Sequence, residues 1–308
     1  MIVALAGGVG GAKMVEGLAH ALADPADLTV IVNTADDAEF HGLHVSPDSD
    51  TIMYTLAGIV NRETGWGVAG DTVAAMAMLG EYGEEAWFRL GDRDLATHIL
   101  RTRWLRAGWR LTEIAGEMCR RLGVPARLLP MSDDPVRSVV LTPEGEIDWQ
   151  DFFVRRRGMA PFRGIRLAGI ESARPTPEVL EALHGCRAIV FAPSNPLASL
   201  GPILALPGVR DAIETARAVR AGVSPLVGGA AIKGPLVAMM EGIGLEPTST
   251  AVARMYRGLL DVFVIDPADA AEAAAIEALG MQAVVRPTLM TTLDDKIRVA
   301  RAVLELTR

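Results

Sequence analysis

Two cysteines in 308 residues, Cys119 and Cys186, leave no basis for a disulfide framework. Neither forms a CxxC or stands near a histidine at a metal-ligand spacing, so a zinc site is set aside too. A basic excess is also missing. Thirty Lys+Arg against thirty-eight Asp+Glu give a net charge of −8, which speaks against a general nucleic-acid binder. No apolar run reaches the roughly 18 residues needed to span a bilayer, and no basic-then-apolar leader precedes the first apolar segment. The expectation is a reduced, soluble, cytoplasmic protein with no membrane partner. There is no Ser/His/Asp hydrolase elbow and no internal repeat, and only Ala268–Ala278 is biased, towards alanine. Trp87, Trp104 and Trp149 are too scattered along the chain to read as a stacking platform, so core or cap packing is expected of them.

What is present is concentrated in the first fifty residues. Half of all residues are apolar, enough for a large buried core. Ile2-Val3-Ala4-Leu5-Ala6 is short enough for a buried strand, and Gly7-Gly8-Val9-Gly10-Gly11-Ala12-Lys13 follows. Met14, Leu18, Ala21 and Leu22 then recur at helical spacing. Strand, glycine turn and helix in that order gather backbone N–H groups at a helix N-terminus, where amides and dipole together hold phosphate. Lys13 adds a cation one turn in. The loop departs from two familiar motifs. Lys13 stands where a dinucleotide fingerprint has its third glycine, and Ala12 and Met14 replace the second glycine and the hydroxyl residue of a P-loop.

A second apolar run, Leu28–Val32, ends in Asn33-Thr34-Ala35-Asp36-Asp37. Ser46-Pro47-Asp48-Ser49-Asp50-Thr51 opens a helix expected over Asp48–Val60. In a parallel sheet these segments lie beside the first loop, so Asp36, Asp37, Asp48 and Asp50 would rim the phosphate cradle. Carboxylates there suit a divalent metal or nucleophile handling. Taken singly, each is equally a solvated turn former, or a complement to the helix dipole for Asp48 and Asp50.

From Gly65 to Gly123 the pattern is helical, near Asp71–Leu79, Leu95–Ala107 and Thr112–Leu122, each closed by a glycine. Within it Arg89 is a free cation, Asp94 a candidate N-cap and His98 a polar residue on a helix face. Short β segments are expected at Ala126–Leu129, Ser138–Thr142 and Ile147–Val154. Strands Ala188–Ala192, Val223–Val227, Val262–Ile265 and Ala283–Val285 then alternate with helices. The predicted class is α/β: a Rossmann-like parallel sheet flanked by helices, built from residues 1–60 and 171–308, with a helical and short-strand insertion over 61–170 as a cap. Ligands in such folds lie outside the strand C-termini, where Pro193-Ser194-Asn195-Pro196 offers directed hydrogen bonds.

The glycine loop, Asn33–Asp37, Ser46–Thr51, Gly91-Asp92-Arg93-Asp94-Leu95-Ala96-Thr97-His98, Leu129–Asp133, Pro193–Pro196 and Thr288-Leu289-Met290-Thr291 occur in an order that strongly resembles the 2-phospho-L-lactate transferases of coenzyme F420 biosynthesis. The likeness covers essentially the whole chain. It implies a magnesium-dependent transfer from a guanosine diphosphate ester of lactate or enolpyruvate to the ribityl hydroxyl of the deazaflavin FO. GMP leaves, and F420-0 or its dehydro form results. By the same resemblance Asp50 and Arg89 fall on FO-contacting positions, Arg89 replacing a frequent lysine. Asp36 and Asp50 are assigned the Mg2+ and the catalytic roles, with Asp37 and Asp48 as further candidates. Gly8, Gly10, Gly11 and Lys13 are assigned the donor phosphates, and Ser194 and Asn195, by their place in the fold, the guanosine. A homodimer is implied. The rival classes are a non-catalytic UDP-sugar-binding regulator of the same superfamily and a nicotinamide dehydrogenase, the latter disfavoured by the broken fingerprint.

Overall fold

The structure, a computed structural model, describes residues 1–307. Its strands are β1 Ile2–Ala6, β2 Leu28–Val32, β3 Ala38–Phe40, β4 Leu43–Val45, β5 Arg127–Pro130, β6 Arg137–Thr142, β7 Gly145–Asp148, β8 Gly164–Ala168, β9 Ala188–Phe191, β10 Val219–Val223, β11 Leu226–Val227, β12 Ala230–Ala231, β13 Val262–Ile265 and β14 Gln282–Val285. The first five helices are α1 Gly8–Ala21, α2 Pro47–Leu56, α3 Ala74–Glu81, α4 Asp92–Arg106 and α5 Leu111–Arg121. Seven strands form one all-parallel sheet in the order β14-β13-β10-β9-β1-β2-β5.

Helices cover both faces of that sheet, which is why its strands are continuous apolar runs rather than alternating ones. All five β1 side chains are fully buried. Ile2, Ala4 and Ala6 pack with Val15 and Leu18 of α1 and with Val299 and Val303 of the helix Leu293–Leu306. Val3 and Leu5 pack on the other face with Ile203, Ile213 and Val252. From β1 the chain moves to β2 on one side and later returns through β9 on the other. The crevice beyond the C-termini of β1 and β9 is therefore the switch point where open parallel sheets bind ligands.

The division at 61–170 is not the one the sheet follows. Strand β5 lies inside that range yet pairs with β2, Thr29 opposite Arg127 and Val32 opposite Pro130. It is short and ends in a proline, which an edge strand tolerates, and so it carries little signal of belonging to the main sheet. What stands apart from the sheet in this range is α3, α4 and the antiparallel β7-β6-β8.

Three local expectations change. The strand expected over Ile147–Val154 stops at Asp148, and Asp151–Arg155 winds as a π-helix. Trp149 and Phe152 are both buried in a satellite cluster with Phe162, and residues three apart share a side only in a helical turn. The strand placed at Val223–Val227 is instead Val219–Val223. Pro225 cannot donate to a ladder, and the Ser224 hydroxyl accepts from the Leu226 N–H at 3.2 Å, turning the chain. The hairpin β3–β4 was not expected; His41 and Gly42 take φ of 52° and 71° at its tip, the conformation of a tight hairpin turn.

Candidate active site

At the switch point a cavity of about 440 Å³ opens. Of the residues the sequence singled out, Gly8, Gly10, Lys13, Asp36, Asp48, Asp50, Arg89, Ser194 and Asn195 line it. Gly11 and Asp37 do not, and for each the geometry gives a reason.

The glycine loop is glycine because its neighbours are too close for anything else. Gly8 has φ +63°; a Cβ on Gly7 would lie 2.4 Å from Asp48 Oδ2, and one on Gly10 would lie 2.4 Å from the Pro193 carbonyl oxygen. A Cβ on Gly11 would meet Ser194 Oγ at 2.6 Å. Gly11 thus serves the packing of α1 against the turn after β9 and presents no surface to the cavity. Ser194 is fully engaged by the loop: its hydroxyl donates to the Gly7 carbonyl at 2.8 Å and accepts from the Gly7 N–H at 3.1 Å. It ties two strand ends together, so its side chain is not free for guanosine. Asn195 Oδ1 accepts from the N–H groups of Leu197 and Ala198 at 2.9 and 3.1 Å, which shapes the same turn. The N–H groups of Val9 and Gly10 meet no side-chain acceptor among the described residues, leaving the start of α1 open to an anion.

Beside this opening sit two buried carboxylates. Asp48 accepts from the Gly8 N–H at 2.8 Å and from Asn33 Nδ2 at 3.0 Å. Burial pushes its carboxyl up to about 6, against these two hydrogen bonds. Asp36 is also buried, and its Oδ1 has no partner. Burial, then the charge of Asp48, hold its carboxyl well above the usual range, with Asn33 pulling the other way. Two desolvated carboxylates that repel each other, one with an orphaned oxygen, form a site that a divalent cation would relieve. Among the described residues no three His, Cys, Asp or Glu side chains come together as a complete ligand set. Magnesium characteristically takes one or two carboxylates and completes its shell with phosphate oxygens and water, and Asp36 with Asp48 fits that pattern.

Asp37 and Asp50 do not fit it. Asp37 Oδ2 accepts from the Ser46 hydroxyl at 2.7 Å and lies 3.0 Å from His44 Nε2, which turns the side chain towards the hairpin β3–β4 and the entry to α2; its Oδ1 is buried without a partner, but the residue does not line the cavity. Asp50 lines the cavity, but both of its oxygens face Arg101 of α4, Oδ2 at 3.1 Å from Nη1 and Oδ1 in contact with Nη2. A carboxylate neutralised by a bidentate guanidinium has little left for a metal. The pair whose geometry could hold a divalent cation is therefore Asp36 and Asp48, where Asp36 and Asp50 were expected. Burial still dominates at Asp50 and raises its carboxyl, with Arg101 and then His98 opposing.

Arg101 is the residue that sequence reasoning missed. It lies in the helix expected over Leu95–Ala107 but was not singled out there, and it is 3% exposed. The available signal was spacing: Asp94, His98 and Arg101 stand at i, i+4 and i+7 and so share one face of α4. Arg101 Nη1 donates to His98 Nδ1 at 3.2 Å, while His98 Nε2 lies 3.2 Å from Asp94 Oδ1. Tyr54 of α2 donates to Asp94 Oδ1 at 2.7 Å. Asp94 is thus no N-cap. That task falls to Asp71, which accepts from the N–H groups of Arg93 and Asp94 at 2.8 and 3.0 Å.

The cavity also has an aromatic lining. Trp66, Trp87, Phe88, Trp149 and Phe153 all line it, so the scattered tryptophans do converge, apart from Trp104, which stacks on Trp109 at 5.3 Å. Phe88 stacks on Phe40 at 3.9 Å and Trp149 on Phe153 at 5.5 Å. Arg89 stands among them, exposed, with no carboxylate within 4 Å among the described residues. One cavity therefore joins a glycine turn with open amides, an acidic rim and an aromatic lining.

Crystal structures of a UPF0052-family protein from Bacillus halodurans share this fold, with a TM-score of 0.63 and 17% identity over 98% of both chains. The chain is 45% identical over 311 residues to a phosphoenolpyruvate transferase of Streptomyces griseus, covering 99% of this chain and 98% of that one. It is 39% identical over 304 residues to a 2-phospho-L-lactate transferase of Methanosarcina mazei, covering 99% of each. The model of the family described as 2-phospho-L-lactate transferase CofD matches residues 2–301. With its motifs, its sheet and its relatives in agreement, the chain belongs to the 2-phospho-L-lactate transferase CofD family.

Proposed function

We propose that this chain moves a 2-phospholactyl or enolpyruvyl-phosphate group from a guanosine diphosphate ester to the terminal ribityl hydroxyl of the deazaflavin FO, releasing GMP and giving F420-0 or dehydro-F420-0. The observation that carries this is one cavity lined both by a phosphate-type glycine turn and by five aromatic side chains. A tricyclic ring suits the aromatic lining, where Arg89 faces its polar edge, and the open amides of Val9 and Gly10 with Lys13 suit the diphosphate.

Asp36 and Asp48 would hold Mg2+, which when bound neutralises phosphate charge and polarises the phosphorus under attack. The chain's own groups do the positioning. Asp50 projects into the cavity from α2 with its orientation set by Arg101, and each carboxylate oxygen keeps a lone pair for one further donor. The ribityl hydroxyl is the donor assigned to it, so that Asp50 orients the nucleophile and takes its proton. Burial raises the Asp50 carboxyl and makes it a better base than an exposed aspartate. The enzyme is further proposed to work as a cytoplasmic homodimer. Met78 and Tyr82, 54% and 76% exposed at the apolar helix α3, are consistent with a surface that a second copy covers.

The test is incubation with FO, Mg2+ and, separately, the lactyl and enolpyruvyl guanosine donors, with product masses read directly. F420-0 or its dehydro form, together with GMP, is expected from at least one donor and none without FO. Binding of UDP-N-acetylglucosamine in preference to GDP, with no product from either donor, would instead place the chain with the non-catalytic regulators.

A further inference from the structure

We propose that Lys233 is a second anion-binding residue of this site, straddling the donor's diphosphate with Lys13 and contacting the phosphate farther from guanosine; this rests on the transferase reading above. Lys233 lies in the strap Leu226–Pro235, which carries β11 and β12, and both lysines line the cavity. A Cβ built on Gly65 would lie 2.7 Å from Val9 Cγ1 and 3.5 Å from Lys233 Nζ. The ammonium thus stands beside Gly65, which packs on the Val9 side chain of the glycine loop.

Its surroundings lack what an ordinary structural lysine has. Among the described residues neither Lys13 nor Lys233 has a carboxylate within 4 Å, although the chain carries a net charge of −8. The partner of Lys233 is the carbonyl of Thr64, a neutral acceptor that a phosphate oxygen outcompetes. Burial depresses both ammonium groups, and a neighbouring cation lowers each further: Lys13 acts on Lys233, and Lys296 acts on Lys13. Lys296 is already matched to Glu16 at 2.5 Å, and Arg62 holds the other Glu16 oxygen at 3.0 Å. Two facing cations without a counter-charge are unfavourable until an anion sits between them, and such local conflicts concentrate at functional sites.

The strap is built to hold this position. Gly228, Gly229 and Gly234 have φ of 58°, 73° and 84°, where side chains are strained. The Gly228 N–H donates to Asp269 Oδ1 at 2.9 Å, and the Ser224 and Ser249 hydroxyls meet at 2.8 Å, anchoring its base.

Calorimetric titration of GDP, GMP and inorganic pyrophosphate into the wild type, Lys233→Gln and Lys233→Arg tests this. Lys233→Gln is expected to weaken GDP and pyrophosphate by about tenfold or more, as for a lost charge-assisted hydrogen bond, and GMP by less than about twofold. Lys233→Arg should recover most of the loss, and melting temperatures should be unchanged because the ammonium's one protein partner among the described residues is a single backbone carbonyl. Equal weakening of GDP and GMP, or unchanged binding of GDP and pyrophosphate, overturns the assignment. A wild type that binds pyrophosphate but neither guanosine nucleotide would sink the transferase reading, and the pyrophosphate series would still decide the role of Lys233.

Discussion

Asp50→Asn is expected to lower turnover by about 10²–10⁴-fold while leaving GDP affinity within about twofold. Asn retains one acceptor for Arg101, so the α2–α4 junction keeps a hydrogen bond and the fold survives. It cannot take a proton from the ribityl hydroxyl, so the loss falls on kcat and not on donor binding. Single-turnover rates with both substrates saturating measure this. A variant with wild-type turnover removes Asp50 from the proton path, and one that has lost GDP binding shows that the residue acts through the shape of the site.

Arg101→Met is expected to lose more stability than any other single change in the site. Arg101 and Asp50 are 3% and 4% exposed, and removing one member of a buried pair strands the other charge, typically at a cost of about 3–5 kcal/mol. A fall in Tm on the order of 10 °C follows. The pH dependence has a definite sign. Burial already raises the Asp50 carboxyl, and Arg101 is the main influence holding it down, so the variant's carboxyl rises further. A carboxyl raised in the folded state binds its proton more tightly there than when unfolded. The deficit is therefore full at neutral pH and shrinks as pH falls through the raised value. The acid limb of the kcat/KM profile should move upward in parallel. Arg101→Met with Asp50→Asn together should melt above Arg101→Met alone, because the stranded charge is gone. A deficit independent of pH would show that Arg101 acts by packing and not by charge.

These two residues also mark how far the sequence could be read. β1, the glycine turn, α1 and β13 were legible because their signals are local: an unbroken apolar run, a turn chemistry, a helical period. The four aspartates were legible as a set, since each follows a recognisable strand end or helix start. Their division of labour was not. Asp36 and Asp37 are adjacent in sequence, yet one faces the cavity and the other is held by Ser46 and His44. Only the hairpin β3–β4 decides that. Asp50 could be placed at the site, but its partner lies 51 residues away on another helix. Ser194 gave the right place and the wrong task, because its bonds to Gly7 span 187 residues. The aromatic lining was invisible for the same reason. Trp66, Trp87 and Trp149 come from three separate segments that meet only when the residues between β2 and β9 fold over the sheet edge.

The central claim is that nucleotide diphosphate and deazaflavin occupy one cavity side by side, with the acidic rim between them. Calorimetric titration of FO into protein already saturated with GDP and Mg2+ tests it most directly. FO should bind with GDP still in place, and Arg89→Ala should weaken FO while leaving GDP unaffected. Mutual displacement of FO and GDP would contradict the claim, since two ligands that exclude one another cannot exchange a phosphoryl group within this site.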